Sequence, residues 1–358
     1  MRTKLVYVLT CAPEKNYIEQ ALMAVYSARH WNPDAHIVLI TDDETDKLFV
    51  DGRAEITKYI SEKNVVPFGA GEDMMYRSRW IKTSVRQLVD GDFLFVDCDT
   101  ICQKSLDEID TFDCMVGAVW ESHLPVSHFC DSLLESAKKV TGALGVDIEA
   151  EGEYFSSGVI YVKDVPEAHQ LYQLWHEYWL NGSAQGMRID QPSLARANKE
   201  MGHLIRVIPD TFNCILFTQN AFTRDAHILH VAAYRNPCFL FNEKTLQFVR
   251  EHGLNNPWLI DSLLHPCVSF LPFDYNVLHS SFGERLRWIK ESATFMDGYG
   301  KYIDASFDDY PMNSRFRSFV VKSLQHKHTL WASACWMLWK RFYVLRKQNK
   351  ITPNCCSK

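Results

Sequence analysis

In residues 93–101, four apolar residues lead directly into Asp97-Cys98-Asp99, and this pattern limits the possible folds of the chain. An apolar run without polar alternation is typical of a strand buried on both faces of a parallel sheet. In an extended chain, residues two apart point the same way, so the two carboxylates are expected to converge where the strand ends. Open α/β sheets bind their ligands at that place, and paired carboxylates suit Mg²⁺ or Mn²⁺. The alternative is that the two acids only end the strand at a turn.

The preceding residues predict the start of a nucleotide-binding α/β sheet. Apolar strands are expected at residues 5–9 and 36–40, and apolar spacing of three and four predicts a helix over residues 17–30 between them. The second strand ends in further acids, as the first part of such a sheet often does. Neither a GxGxxG nor a P-loop sequence is present, so the motifs of dinucleotide folds and of P-loop enzymes are excluded.

A basic helix is predicted immediately before the Asp97 strand, over residues 74–88. Arg79, Lys82 and Arg86 fall on one face of it, which is either a solvated surface or a set of cations that faces a diphosphate. The later elements predicted from apolar pattern and turn residues are strands at 115–119, 154–162, 204–208 and 227–231, helices at 127–140 and 169–179, a loop at 142–152, and a helix that starts at Asp190 in an N-cap position.

Charge and cysteine usage limit the partners and the compartment. The formal net charge is −6, which gives no indication of nucleic-acid binding. Eleven cysteines are scattered without a CxxC pair, which favours a reducing cytoplasm and argues against a zinc site or a disulfide scaffold. We therefore expect a cytoplasmic protein.

The C-terminal segment 313–358 differs from the rest of the chain because it holds ten Lys and Arg residues and no acids. Apolar residues at steps of three and four predict a helix over residues 318–347 with basic residues between them. This composition is typical of an amphipathic helix at an anionic membrane surface. Packing of the segment against the folded domain is the alternative.

The order of the polar motifs along the chain carries a family resemblance. Asp97-Cys98-Asp99, Ser156-Ser157-Gly158, Asp190-Gln191, Asn213 and His230 follow one another at or near predicted strand ends. The set resembles the retaining nucleotide-sugar glycosyltransferases of the GT-A fold, and most closely glycosyltransferase family 8, the family of glycogenin and of bacterial lipopolysaccharide galactosyltransferases. The resemblance covers residues 4–237.

The resemblance implies a Rossmann-like mixed sheet flanked by helices, with a helical C-terminal extension. We expect a GT-A catalytic domain over residues 1–237, an accessory acceptor-side region over 238–312, and the basic aromatic amphipathic tail over 313–358. It also implies a metal site, because Asp97 and Asp99 match the DxD motif of the family and His230 matches its C-terminal metal ligand. Mn²⁺ or Mg²⁺ would bind there on the donor diphosphate.

Donor contacts are carried over in the same way. Thr10 and Cys11 match the turn that holds the nucleobase, and Tyr17 matches an aromatic residue that stacks on uracil. Arg79 and Lys82 match the basic helix over the diphosphate and the donor sugar.

Two donor-side positions depart from the family pattern. Ser156 stands where the family has Asn, while Ser157 keeps the Ser of the family. Arg235 is a phosphate contact displaced by one position.

Asp190 and Gln191 match the catalytic acid-amide pair of the family, which lies below the anomeric carbon.

These matches predict a metal-dependent retaining glycosyltransferase that moves a hexose from a UDP-sugar to a glycan or lipid-linked acceptor. A membrane-facing tail would place it peripherally at the inner face of the membrane. One alternative is a sugar nucleotidylyltransferase, although residues 10–16 lack the Gly-rich loop of that class. Another is a catalytically inactive nucleotide-sugar-binding module.

Overall fold

The computed structural model describes residues 1–69, 71–129, 131–215, 225–231, 240–241 and 243–266. The described strands are β1 (Lys4–Leu9), β2 (Ile37–Asp42), β3 (Glu62–Val66), β4 (Phe93–Val96), β5 (Thr100–Cys102), β6 (Val116–Trp120), β7 (Phe155–Val162), β8 (Ile205–Val207), β9 (Cys214–Ile215) and β10 (Ile228–His230). The described α-helices are α1 (Tyr17–Trp31), α2 (Asp43–Asp46), α3 (Met74–Thr83), α4 (Val85–Leu88), α5 (Asp131–Gly142), α6 (Ile148–Glu151), α7 (Pro166–Ala184), α8 (Gln191–Glu200), α9 (Glu243–His252) and α10 (Pro257–Leu264).

Seven of these strands form one mixed sheet in the order β3-β2-β1-β4-β7-β6-β8. Strands β1 to β4 run parallel to one another, and β7 runs antiparallel between β4 and β6. Because of these directions, the ends of β1, β2, β4 and β6 and the start of β7 meet at one edge. We call this edge, formed by Leu9, Asp42, Val96, Trp120 and Phe155, the carboxyl edge.

The sheet lies between two hydrophobic cores. All residues of β2 and β4 are buried, as expected for parallel strands covered on both faces. One core packs the sheet against α1, α9 and α10, and the other packs it against α3, α4, α7 and α8. Because helices pack against both faces of the sheet, the strands that carry the side chains of the carboxyl edge are supported on both sides.

The three other strands form a small second sheet in the order β5-β10-β9. β5 begins three residues after Asp97 and pairs antiparallel with β10, which sets Thr100 opposite His230. β10 also pairs parallel with β9, with His230 opposite Ile215. The second sheet therefore brings a distant part of the chain beside the Asp97–Asp99 segment.

The predicted fold class, a Rossmann-like mixed α/β sheet flanked by helices, is confirmed. The prediction of a single helix over 74–88 is wrong, because the helix is interrupted at Ser84, between α3 and α4. The Ser84 hydroxyl donates to the Trp80 carbonyl at 2.7 Å. The helix predicted over 127–140 begins only at Asp131, after a 3₁₀ turn at Val126–His128. The predicted loop over 142–152 contains the short helix α6.

Several predictions about the C-terminal part lie outside the described residues. These are the tail 313–358 with its helix over 318–347, the helical extension, and both predicted domain boundaries. Where the structure describes the region after residue 240, α9 and α10 pack in the same core as α1. Within the described part of the chain, no helix is both long enough and apolar enough to span a membrane.

Candidate active site

Two carboxylates and an imidazole converge at the carboxyl edge. The ligand atoms of Asp97, Asp99 and His230 all lie within 4.8 Å of one another, and His230 Nε2 is 3.3 Å from Asp99 Oδ1. The convergence does not arise from an extended chain as predicted, because β4 ends at Val96 and the two acids lie in a turn. The Thr100 hydroxyl closes this turn on the Asp97 carbonyl at 2.8 Å.

Backbone hydrogen bonds hold both acids in place. The Asp97 amide donates to the Gly158 carbonyl at 2.8 Å, which ties it to β7. The Val231 amide donates to the Asp99 carbonyl at 2.9 Å, which ties the second acid to the end of β10. The three candidate ligands are therefore positioned by both sheets.

The orientation of His230 is set from behind by Asn213. His230 Nδ1 lies 3.0 Å from Asn213 Oδ1, and Asn213 Nδ2 donates to the Ser156 hydroxyl at 3.2 Å. Because the amide nitrogen of Asn213 is engaged by Ser156, its oxygen faces His230 and accepts the Nδ1 proton. That leaves Nε2 as the nitrogen that faces the two acids, which is the arrangement usual for metal-binding histidines.

Gly158 makes room for the same imidazole. A Cβ at this position would lie 2.3 Å from His230 Cε1 and 3.0 Å from Asp97 Oδ2. The small residues at the start of β7 thus allow a histidine ring to approach the backbone, a purpose that the sequence did not specify.

These residues fit a divalent cation. Burial raises the pKa of the Asp97 carboxyl, even though Lys82 and His230 act against that rise. Burial also acts to raise the pKa of Asp99, but the charge of His230 and its hydrogen bond outweigh it and lower that pKa. The fit rests on the donor set and its geometry: two carboxylates and one imidazole nitrogen face one another within 4.8 Å, and these are donors that Mn²⁺ or Mg²⁺ accepts.

Lys82 connects this cluster to the start of α8. Its ammonium group is almost fully buried and lies 3.1 Å from Asp97 Oδ1, 3.4 Å from Asp190 Oδ2 and 3.4 Å from the Ser157 hydroxyl. Arg79, one turn earlier on α3, places Nε 3.0 Å from Asp190 Oδ1. A lysine so enclosed is held as a fixed positive charge beside the acid cluster.

Asp190 occupies the N-cap position of α8, as predicted, but its carboxylate makes no cap hydrogen bond. It binds Arg79 and Lys82 instead, because these cations from α3 reach it in the buried site. Burial alone would raise the pKa of Asp190, but the two cations outweigh burial and lower it to about 2. Asp190 is thus ionised at neutral pH, and such a weak base is a poor general base.

Gln191 is anchored by both hydrogens of its amide. Its Nε2 donates to Glu121 Oε2 at 2.8 Å and to the Phe155 carbonyl at 2.7 Å. Phe155 opens β7, so Gln191 is fixed to the strand that also carries Ser157 and Gly158.

The predicted nucleobase residues lie at the end of β1. The Thr10 hydroxyl donates to the Met74 carbonyl at 3.1 Å, and the Cys11 amide donates to the Thr45 hydroxyl at 2.7 Å. Tyr17 begins α1 and is 41% exposed, which leaves its ring accessible to a planar ligand. Arg235 lies outside the described residues.

The sequence did not identify Glu121 as a site residue. It follows β6 directly, and only the pairing of Trp120 with Phe155 shows that the end of β6 reaches the carboxyl edge. Arg86 shows the opposite case, since it was predicted on the basic face but is buried away from the site. Its guanidinium donates to the Gly91 carbonyl at 2.8 Å and lies over the Phe93 ring.

No protein-family model matches the chain, and no curated protein matches its sequence. Solved structures do resemble it. Mouse xyloside xylosyltransferase 1 is 16% identical with a TM-score of 0.42, over 64% of this chain and 97% of that one. The galactosyltransferase LgtC, in complex with donor and acceptor sugar analogues, is 14% identical with a TM-score of 0.46, over 73% of this chain and 100% of that one. The bifunctional glycosyltransferase WbbM is 16% identical with a TM-score of 0.45, over 72% of this chain, which spans only 50% of that protein.

Proposed function

We propose that this chain is a metal-dependent retaining glycosyltransferase of the GT-A fold, related to family 8, that transfers a hexose from a UDP-sugar to a glycan or lipid-linked acceptor. The observation that carries the proposal is the cluster of Asp97, Asp99 and His230 with Lys82 buried beside it. Three potential metal ligands and an adjacent fixed cation at the end of a sheet suit a nucleoside diphosphate group.

The leaving group of such a transfer is the nucleoside diphosphate, on which negative charge develops. A divalent cation held by Asp97, Asp99 and His230 would supply electrostatic stabilisation of that charge. Lys82, 3.1 Å from Asp97, adds a positive charge in the same place. Because Lys82 is already held by Asp97, Asp190 and Ser157, it needs little reorganisation as the reaction proceeds.

The sugar becomes electron-poor at its anomeric carbon as the bond to the diphosphate breaks. The groups proposed to face that carbon are an ionised Asp190, which precedes α8, and the amide oxygen of Gln191, its first residue. Since the pKa of Asp190 is about 2, it contributes a negative charge and holds Lys82 and Arg79, and it does not remove a proton.

The experiment that tests the proposal is a thermal-shift screen of nucleotide sugars with and without Mn²⁺, followed by an assay of donor hydrolysis and transfer for each hit. We expect a UDP-hexose to stabilise the protein only with Mn²⁺ and to be consumed with release of UDP. Release of pyrophosphate from a nucleoside triphosphate would instead support a nucleotidylyltransferase. UDP binding without turnover of any donor would support an inactive binding module.

We also propose that the protein is cytoplasmic and that residues 313–358 attach it to an anionic membrane surface. The support is the composition of that segment, with ten Lys and Arg residues and no acids. Deletion of residues 313–358 should abolish sedimentation with vesicles that contain phosphatidylserine. Unchanged sedimentation of the deletion variant would show that the segment does not bind membranes.

A further inference from the structure

The amide orientation of Gln191 is determined by its two partners. Glu121 Oε2 and the Phe155 carbonyl are both acceptors, and both lie on the Nε2 side of the amide, at 2.8 and 2.7 Å. A flipped amide would set its oxygen against both of them, without a hydrogen to share. The carbonyl oxygen of Gln191 must therefore point away from Glu121 and Phe155.

Glu121 is held where it is by a strained turn. The two residues after it, Ser122 and His123, have φ values of 57° and 58°, and both are buried. Non-glycine residues in the left-handed region cost free energy and persist only where the surrounding structure fixes them. Such strain tends to occur at functional sites.

Hydrogen bonds of the His123 ring hold this turn in place. The Ile215 amide donates to His123 Nε2 at 3.0 Å, so the ring proton is on Nδ1 and is donated to Asp210 Oδ1 at 2.7 Å. The turn is thereby tied to β9, the strand that pairs with β10 and follows Asn213 directly. The Glu121 amide also donates to the Tyr154 carbonyl at 2.7 Å.

We propose that Glu121 is a positioning residue for the transfer reaction, acting through the amide of Gln191. This inference rests on the proposed function. The Glu121 carboxylate fixes the Gln191 carbonyl oxygen toward the donor sugar, and its negative charge polarises the amide so that this oxygen carries more negative charge. Such an oxygen is suited to stabilise a positive anomeric centre without forming a bond to it.

The test is a double-mutant cycle of Glu121→Ala and Gln191→Ala, assayed by Mn²⁺-dependent hydrolysis of the UDP-hexose donor. We expect Glu121→Ala to lower kcat by about tenfold to a hundredfold, the usual cost of a misplaced reacting group, and to leave the affinity for UDP unchanged. In the Gln191→Ala background, Glu121→Ala should cause no further loss. Glu121→Gln, which keeps an acceptor but not the charge, should fall between wild type and Glu121→Ala. It replaces Glu121→Ala in the cycle should the latter fail to fold.

Equal losses in the two backgrounds would overturn the proposal, since Glu121 would then not act through Gln191. A parallel loss of UDP affinity would also overturn it, because it would indicate general damage to the site. Glu167→Ala, at an exposed acid on α7, is the matched control and should retain full activity.

A second readout is independent of turnover. The side-chain amide resonances of Gln191 in ¹⁵N-labelled protein, identified by their loss in Gln191→Ala, should shift in Glu121→Ala. If wild type consumes no nucleotide sugar, the proposed function fails, and these resonances still test the contact. Unshifted resonances would overturn the positioning role.

Discussion

Gly158 is the single residue whose replacement should disturb the candidate metal site most directly. A Cβ there would lie 2.3 Å from His230 Cε1 and 2.7 Å from His230 Nδ1. Both distances are shorter than the 3.0 Å below which a Cβ atom essentially never contacts a non-bonded atom. Since Asn213 holds the ring from the other side, His230 cannot move away freely.

We therefore expect Gly158→Ala to weaken Mn²⁺ binding by about tenfold or more, the scale of changes that misorient a metal ligand. Electron paramagnetic resonance titration of free Mn²⁺ measures this directly. Gly142→Ala, at the end of α5 where a Cβ would meet no atom within 4 Å, is the control and should bind as wild type does. Unaltered affinity in Gly158→Ala would show that His230 is not a ligand.

Single residues also show how far the sequence could predict the site. Asp97 and Asp99 were predictable because an apolar strand led into them, and the structure places His230 beside them. Asp190 was predicted at the start of a helix, but the direction of its carboxylate depends on cations from α3 that no local pattern reveals. Glu121 had no local signal, since one acid after a strand is common on any surface.

At the scale of elements, long apolar segments were predictable and short or tertiary-dependent ones were not. β1, β2 and β7 carry clear apolar runs, so their positions were predicted within one or two residues, whereas the strand predicted to extend through Asp99 ends at Val96 as β4. β9 and β5 have two and three residues, too few for any periodicity. The antiparallel direction of β7 also has no sequence signature, although it sets which of its ends reaches the site.

The contact between α3 and α7 predicts a pH dependence of stability. His176 of α7 lies 2.7 Å from the Thr83 hydroxyl through Nδ1, and its ring packs edge-on against Trp80. Burial lowers the pKa of His176 in the folded protein. The unfolded chain, with a histidine pKa of about 6.5, therefore binds a proton that the folded state excludes.

It follows that this contribution to stability is complete above about pH 6.5 and is lost as the pH falls below that value toward the folded pKa. His176→Gln removes the titration and can keep the hydrogen bond to Thr83. Urea unfolding at pH 7.5 and 5.5 should show a smaller decrease in unfolding free energy for this variant than for wild type. Equal decreases would mean that His176 takes up a proton equally well in both states.

At the scale of the whole molecule, a buried ion network joins the region after residue 240 to the loop before α1. Glu19 is fully buried and accepts from Arg53 Nε at 2.6 Å and from Arg250 Nε at 2.9 Å. Arg250 also donates to Asn16 Oδ1 at 2.6 Å. Helix α9 thus supports the segment that leads from Thr10 and Cys11 to Tyr17, the proposed nucleobase side of the site.

This support could not be predicted, because Glu19 and Arg250 are 231 positions apart and neither lies in a motif. Removal of either arginine or of the glutamate from this network is expected to be destabilising, because it leaves a charge buried without a full set of partners. The predicted division of the chain at residues 237 and 312 stays a prediction.

In the proposed enzyme, Asp97, Asp99 and His230 bind the cation on which nucleotide-sugar turnover depends. The most direct measurement is Mn²⁺-dependent hydrolysis of the UDP-hexose donor by wild type, by Asp97→Asn and by Asp99→Asn, with the exposed Asp34→Asn as control. We expect wild type and Asp34→Asn to respond equally to Mn²⁺. Each site variant should lose about a hundredfold or more in kcat, as expected when charge stabilisation in the transition state is removed. Metal-dependent turnover that persists in both site variants would show that these acids do not bind the catalytic cation.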